Sequence, residues 1–327
     1  MTNSHSPAAI RVTGLRKSYG QQVVLDGIEF DVAPGTVFSL LGPNGAGKTT
    51  MVQILSTLIP ADAGQVQVGG RDLSREPDAV RAEIGVTGQF SAVDKFLTGE
   101  ENLVLMADLR HMRRRSGRLR AAELLDQFDL ADAARKPVAM YSGGMQRRLD
   151  LAMTLVGDPR IIFLDEPTAG LDPRSRRTMW QIVRTLVASG VTIFLTTQYL
   201  EEADELADRI AVLDHGKLVA QGTATELKRL VPGGHIRLQF GDATVLARAA
   251  QILQPTSRDD DALALQLPGG GDVRSLRSVL DRLDQAGIEV DGLTVHTPDL
   301  DDVFLALTGQ PEVRPAPRPQ AQEAIAR

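Results

Sequence analysis

The sequence predicts an α/β domain around a largely parallel sheet, followed by a small α+β domain. Three observations carry this reading. Short apolar runs rich in Val and Ile alternate with helical patterns from the start to about residue 225. Three of those runs, Val37–Leu41, Ile161–Leu164 and Val191–Thr196, are apolar without strict alternation, as central strands covered on both faces are. The pattern then breaks at Val231-Pro232-Gly233-Gly234, the composition of an interdomain linker.

In chain order, Ile10–Thr13, Ile28–Val32 and Val66–Val68 carry polar alternation and predict a peripheral antiparallel sheet. A helix is expected through Met51–Leu58. Residues 92 to 157 read as a helical insertion, with strong helix formers at Ala121–Phe128 and an apolar stripe of Leu149, Met153 and Val156. Asp214-His215-Gly216 reads as a hairpin turn. Beyond the linker come a strand (His235–Phe240), a helix (Thr244–Leu253) and a strand (Ala262–Leu267). A turn at Gly269-Gly270-Gly271, a helix (Val273–Ala286) and a strand (Ile288–Val295) follow. The expected organisation is a main domain over 1–230, a C-terminal α+β domain over 231–309, and a tail over 310–327. The tail carries Pro311, Pro315, Pro317 and Pro319 among polar residues and is expected to be disordered.

Composition narrows the function. The 327 residues are 43% hydrophobic and 24% charged, with a net charge of -6, so no overall positive field draws the chain to nucleic acid. Cysteine is absent, which excludes a disulfide scaffold and thiol chemistry. The N-terminal residues carry no signal-peptide pattern, and no apolar run approaches the roughly 20 residues of a spanning helix. The basic group Arg113, Arg114, Arg115, Arg118 and Arg120 reads as a solvated helix face, with contact to anionic lipid headgroups as the sharper alternative. His5, His111, His215, His235 and His296 are read as structural or solvated.

Gly42-Pro43-Asn44-Gly45-Ala46-Gly47-Lys48-Thr49-Thr50 follows the strand Val37–Leu41 and opens a helix, the context a phosphate-binding loop requires. Glycines let backbone N–H groups turn inward around a β-phosphate, and the helix N-terminus adds partial positive charge. Lys48, expected on the loop surface, reaches the β/γ oxygens, and the Thr49 hydroxyl holds Mg²⁺. At the end of Ile161–Leu164, Asp165 is placed to hold Mg²⁺ and Glu166 to polarise an attacking water. Ligands of open α/β sheets bind at those strand ends. Taken alone, such an acidic pair is more often a solvated loop; the upstream cradle reverses that weighting.

Tyr141-Ser142-Gly143-Gly144-Met145-Gln146 precedes Asp165 and opens the helix Arg147–Val156. It resembles the signature of ATP-binding subunits of ABC transporters, commonly Leu-Ser-Gly-Gly-Gln. Tyr19, the cradle, Gln89, the signature, Asp165-Glu166 and Asp172 also come in that family's order over residues 8 to about 230. The resemblance implies a P-loop ABC ATPase fold: a RecA-like core, an antiparallel β flank and a helical insertion. It implies that two copies sandwich two ATP·Mg²⁺ head to tail, with Ser142, Gly143 and Gly144 facing the nucleotide of the other copy. By the same resemblance Tyr19 stacks on adenine, Gln89 contacts Mg²⁺ and reports to a membrane permease, and Asp172 crosses the dimer interface. Taken singly, Tyr19 and Gln89 would be packing and a loop amide.

Two positions depart from the family pattern. Met145 stands where the common signature has Gln. Gln198, in Leu195-Thr196-Thr197-Gln198, stands where a histidine usually touches the γ-phosphate. Glutamine donates and accepts one amide hydrogen bond each way but cannot titrate. The run Thr196–Asp204, together with Leu300–Gly309, is similar to the daunorubicin-resistance exporter ATPases of actinomycetes. That similarity implies an ATP-hydrolysing subunit at the cytoplasmic face of the membrane. It would drive export of a hydrophobic drug, antibiotic or lipid through a separate permease, with a C-terminal domain that dimerises or regulates. A permease-free ABC protein and a nucleotide-dependent drug-binding resistance protein are the rivals.

Overall fold

The computed structural model describes residues 8–88, 92–231, 234–268, 273–296 and 298–309. The expectations for Gln89, for the core of the linker (Pro232, Gly233), for Gly269–Gly271 and for the 310–327 tail lie outside these residues. The chain divides into two compact units, 1–229 and 230–327.

In the first unit, β1 (Ile10–Tyr19) and β2 (Gln22–Val32) pair antiparallel and are followed by β3 (Val37–Leu41). The phosphate-loop segment leads into α1 (Lys48–Leu55). This helix starts earlier and ends three residues before the expected Leu58, because Thr57 takes a left-handed φ of 66°. Then come β4 (Ala63–Val68), β5 (Arg71–Asp72), α2 (Pro77–Glu83) and β6 (Ile84–Thr87). The helical insertion consists of α3 (Gly99–Leu109), α4 (Arg114–Gln127) and α5 (Gly143–Thr154), with short 3₁₀ turns between and after the last two. Thr98 and Glu101 cap α3 reciprocally in a capping box. Within the basic group, Arg113, Arg114, Arg115 and Arg118 are exposed, whereas Arg120 turns inward to donate to the Leu155 carbonyl at 2.9 Å.

After the insertion come β7 (Ile161–Asp165), α6 (Pro173–Ala188), β8 (Thr192–Thr197) and α7 (Leu200–Leu206). The unit closes with the hairpin β9 (Arg209–Asp214) and β10 (Lys217–Gly222), turning at His215-Gly216 as expected, and with α8 (Ala224–Lys228). The strands form two sheets. One is antiparallel, in the order β2-β1-β4-β5. The other runs β10-β9-β3-β8-β7-β6 and is parallel except at β10.

The central strands have no polar face because both faces are covered. Val37, Ile162, Leu164, Ile193 and Leu195 point into a core shared with the helical insertion and α6. Phe38, Leu40, Ile161, Phe163 and Phe194 point the other way, into a core shared with α1 and the antiparallel sheet. Four phenylalanine rings cross that second core. Phe30 lies 4.9 Å from Phe38, Phe38 lies 5.6 Å from Phe194, and Phe194 lies 5.8 Å from Phe163.

The second unit contains β11 (His235–Gln239), α9 (Ala243–Leu253), β12 (Ser257–Asp259), β13 (Ala264–Pro268), α10 (Val273–Gln285), β14 (Gly292–His296) and α11 (Leu300–Thr308). Its sheet is antiparallel in the order β12-β13-β11-β14. Ile236, Leu238, Leu265 and Leu267 meet Leu246 and Leu253 of α9 and Leu283 of α10 in a core of its own. Ile288–Gly292, expected as the start of the last strand, packs Ile288 into that core but joins the sheet only from Gly292.

Candidate functional site

The parallel register decides where the site forms. Leu41 of β3 pairs with Thr197 of β8, Asp165 of β7 pairs with Thr196, and Thr87 of β6 pairs with Leu164. The loop after β3, the two acids at the end of β7 and Gln198 after β8 therefore lie at one edge, the carboxyl end of the sheet's strands.

The loop from Gly42 to Gly47 is tightly seated. A Cβ on Gly42 would lie 2.3 Å from the Leu213 carbonyl oxygen, so only glycine lets β3 run into the turn there. Gly47, next to Val24 and Leu25 of β2, caps α1 without any side-chain bond. The first-turn N–H groups of α1 then point into the loop, the arrangement that binds anions. Asn44 and Gly45 are exposed at its rim; Ala46 is buried beneath, and Thr49 and Thr50 are half-buried.

Lys48 is not the surface residue expected. It is the first residue of α1 and only 5% exposed. Its ammonium donates to the Gly42 and Pro43 carbonyls at 2.9 and 3.1 Å and stands 3.4 Å from Glu166 Oε1. The loop folds back over the side chain, so the charge is solvated by carbonyls in place of water. Burial pulls the Lys48 pKa down, and the charges of Glu166 and Asp165 oppose that pull.

Asp165 is 2% exposed and accepts a 2.5 Å hydrogen bond from the Thr196 hydroxyl. The Thr196 hydroxyl in turn accepts the Glu166 N–H at 3.1 Å, so one side chain fixes both acids. Glu166 has a left-handed backbone, φ 48°. Gln198 is half-buried immediately beyond β8. The candidate cation ligands among the described residues, Thr49 in the first turn of α1 and Asp165 at the end of β7, offer oxygens only. Such a set fits a hard divalent cation that keeps several waters and takes further oxygens from phosphate.

Five expected site residues, Tyr19, Ser142, Gly143, Gly144 and Asp172, lie elsewhere in the unit. Ser142 caps α5, its hydroxyl accepting the Met145 N–H at 3.2 Å. Ser142 and Gly144 line a separate cleft of about 180 Å³ with Arg148, Arg174 and Ser175. A Cβ on Gly144 would lie 2.5 Å from Ser175 Oγ, so glycine allows α5 to meet α6. Ser175 donates to Asp172 at 2.6 Å, and Asp172 caps α6 through the N–H groups of Arg174 and Ser175. The signature and Asp172 are thus one element, joined by a serine. Met145 lines this cleft, whereas Gln146 does not and donates instead to the Tyr141 carbonyl at 3.1 Å. Tyr19, half exposed at the end of β1, has the Lys17 ammonium 5.6 Å from its ring centre.

Thr196 and Ser175 were not singled out in the sequence. The signal for Thr196 was the polar Thr196-Thr197 pair ending an apolar strand. Ser175 gave no signal beyond its place three residues after Asp172, where a cap's partner lies.

The chain is 50% identical over 303 residues to a daunorubicin resistance ATP-binding protein of Streptomyces coeruleorubidus, covering 92% of this chain and 96% of that one. It belongs to the ABC transporter family. The family profile matches residues 25–169, from β2 through the cradle, the signature and the Asp165-Glu166 pair. A daunorubicin/doxorubicin resistance ATP-binding protein of Streptomyces peucetius is 46% identical over 314 residues, with 94% and 95% coverage. A Nod factor export ATP-binding protein I of Sinorhizobium fredii is 37% identical, with 95% and 89% coverage. Among solved structures, an ATP-binding subunit of an ABC transporter superposes with a TM-score of 0.61 at 27% identity, covering 68% of this chain and 92% of that one. A dimeric ATP-binding cassette bound to ADP and Pi superposes at 0.60, with 26% identity and coverage of 65% and 98%. The P-loop ABC fold expected from the sequence is therefore the fold of the first unit, and the two homologous resistance proteins span the second unit as well. Among the described residues no helix is long and apolar enough to cross a membrane.

Proposed function

We propose that this chain is the ATP-hydrolysing subunit of an exporter, driving efflux of a hydrophobic drug, antibiotic or lipid through a separate membrane permease at the cytoplasmic face. The observation that carries it is the meeting of Lys48 and Glu166 at 3.4 Å on the strand edge where Asp165 and Gln198 also emerge. In this reading the cradle N–H groups and Lys48 hold the β- and γ-phosphates. Thr49, Asp165 and Gln89 hold Mg²⁺, which when bound neutralises charge on the phosphate oxygens. Glu166 polarises the in-line water, and Gln198 donates to the γ-phosphate. Tyr19 stacks on adenine. Ser142, Gly143 and Gly144 of a second copy close over the phosphate, with Asp172 at the seam, and charge spread over the transferring group is held by fixed donors. Dimer closing and opening, transmitted through Gln89, drives the permease.

Lys48→Ala tests the reading. With the permease in inverted membrane vesicles, the parent should accumulate a fluorescent hydrophobic drug only with ATP·Mg²⁺, and the variant should lose both nucleotide binding and accumulation. Accumulation persisting in the variant would remove the motor role and favour a drug-binding resistance protein. Because Lys48 is buried, circular dichroism of the variant must show an intact fold for the loss to count.

A further inference from the structure

Arg147 lies one turn into α5, beyond the Ser142 cap, and all five N–H groups of its guanidinium are engaged. Nε donates to the Pro167 carbonyl at 2.9 Å. One terminal nitrogen donates to the Asp165 and Glu166 carbonyls at 3.0 and 3.2 Å. The other donates to the Gly88 carbonyl and to Asp150 Oδ2, both at 3.1 Å. Asp150, on the same helix, is 3% exposed, and its Oδ1 accepts the Ala92 N–H at 3.1 Å. One part-buried ion pair therefore ties the helix opened by Ser142 to the whole turn that carries Glu166, to the exit of β6, and to the chain entering α3.

We propose that Arg147 is a positioning residue for ATP hydrolysis: it makes α5 and the Asp165–Pro167 turn a single rigid piece, with Asp150 fixing the orientation of the guanidinium. The proposal rests on the ATPase reading of Glu166. Its physical basis is the planar fork. Five donors in fixed directions meet five acceptors on three separate segments, which a lysine, with three donors on one atom, cannot span. Glu166 needs such a hold, since its left-handed backbone persists only where its neighbours determine it. Any shift of the α5 N-terminus as Ser142 engages phosphate then reaches the Glu166 carbonyl directly, without crossing a flexible loop.

The test compares the full-length parent with Arg147→Gln, Arg147→Lys and Asp150→Asn. Three quantities are read: steady-state kcat and KM for ATP, binding of a fluorescent ATP analogue, and hydrogen exchange of the peptide spanning 161–171. Charged hydrogen bonds of this kind predict a fall in kcat of about tenfold or more for Arg147→Gln, with KM and analogue affinity within about twofold of the parent. Arg147→Lys should lose less and Asp150→Asn least. Exchange should rise at residues 166–171 in the same rank order while the β7 amides stay protected. Parental kcat with parental exchange in Arg147→Gln overturns the proposal. So does a loss of ATP affinity that tracks the loss of kcat, because the residue would then merely support the fold. Should the parent itself hydrolyse no ATP, the functional reading fails separately, and the exchange pattern alone decides the clamp.

Discussion

Glu166 shows how much of this site is decided by single side chains. Its N–H is held by the Thr196 carbonyl and hydroxyl, both at 3.1 Å, and its carbonyl by Arg147 and by the Ala169 N–H. A left-handed glutamate of this kind costs on the order of 1–3 kcal/mol, and here both of its ends are fixed. The carboxylate is thereby aimed at Lys48. Glu166→Gln keeps the shape and removes the charge proposed to polarise water, so the variant should bind ATP·Mg²⁺ and stay as a closed dimer. Size-exclusion chromatography with ATP·Mg²⁺ reports this, and parental hydrolysis by the variant would remove Glu166 from the chemistry. Gln198→Ala should lower turnover by about 10²–10³, the effect of losing one preorganised donor, with little change in ATP affinity, and Gln198→His should remain active. A turnover assay with the permease present separates this from a Gln198 that only ends its strand. The cradle, the two acids and the signature were legible because each is a contiguous run with a strand or helix beside it. Arg147 was not, because its partners are mostly backbone carbonyls 18 to 59 residues away, and a carbonyl has no residue identity to read. Lys48 was misplaced on the surface for a related reason: the carbonyls that bury it belong to its own loop, and only the turn geometry brings them over the ammonium.

Among the elements, α7 carries a side chain with no sequence signature and a measurable consequence. Glu202 is fully buried, its Oε1 accepting from the Thr168 hydroxyl at 2.8 Å and from the Trp180 indole at 3.1 Å. It thus joins α7 to α6 and to the turn after Glu166. Burial raises its pKa above the ordinary carboxylate value, and the hydroxyls of Thr197 and Thr168, the indole and Arg176 only partly oppose that. The folded state therefore holds the Glu202 proton more tightly than the unfolded chain does. That contribution to stability is complete below the unfolded carboxylate pKa and is lost as pH rises from there through the folded value. Glu202→Gln keeps an oxygen for both donors and cannot ionise. Its thermal midpoint should gain on the parent steadily from acid towards neutral pH, and a constant difference across that range would show that Glu202 titrates as an ordinary surface acid. At this scale the sequence was a good guide to the central strands, whose ends it placed within a residue or so. It was a poorer guide to the edges of the second unit. The exposed three-residue strand β12 has no apolar residue to announce it, and β14 begins only at Gly292, after Ile288 has already turned into the core.

The whole molecule separates at residues 229 and 230, and every described residue of the proposed nucleotide site lies in the first unit. A chain ending at Arg229 should fold and bind ATP. We expect it to lose dimer stability or permease coupling, in keeping with the dimerising or regulatory C-terminal domain that the resemblance implies. Analytical ultracentrifugation with and without nucleotide distinguishes these losses, and an unfolded 1–229 chain would show that the boundary cuts a shared core. Inside the first unit there is no comparable place to cut. The rings of Phe30, Phe38, Phe194 and Phe163 run from the antiparallel sheet into the parallel one, and each ring belongs to a different strand. The flank that carries Tyr19 and the sheet that carries Asp165 therefore share one core, and we expect them to melt together. A chimaera built by grafting the flank of one relative onto the sheet of another inherits this constraint. Unless the ring sizes match across the junction, the graft should open a void in the shared core, and both halves of the proposed nucleotide site should be lost together.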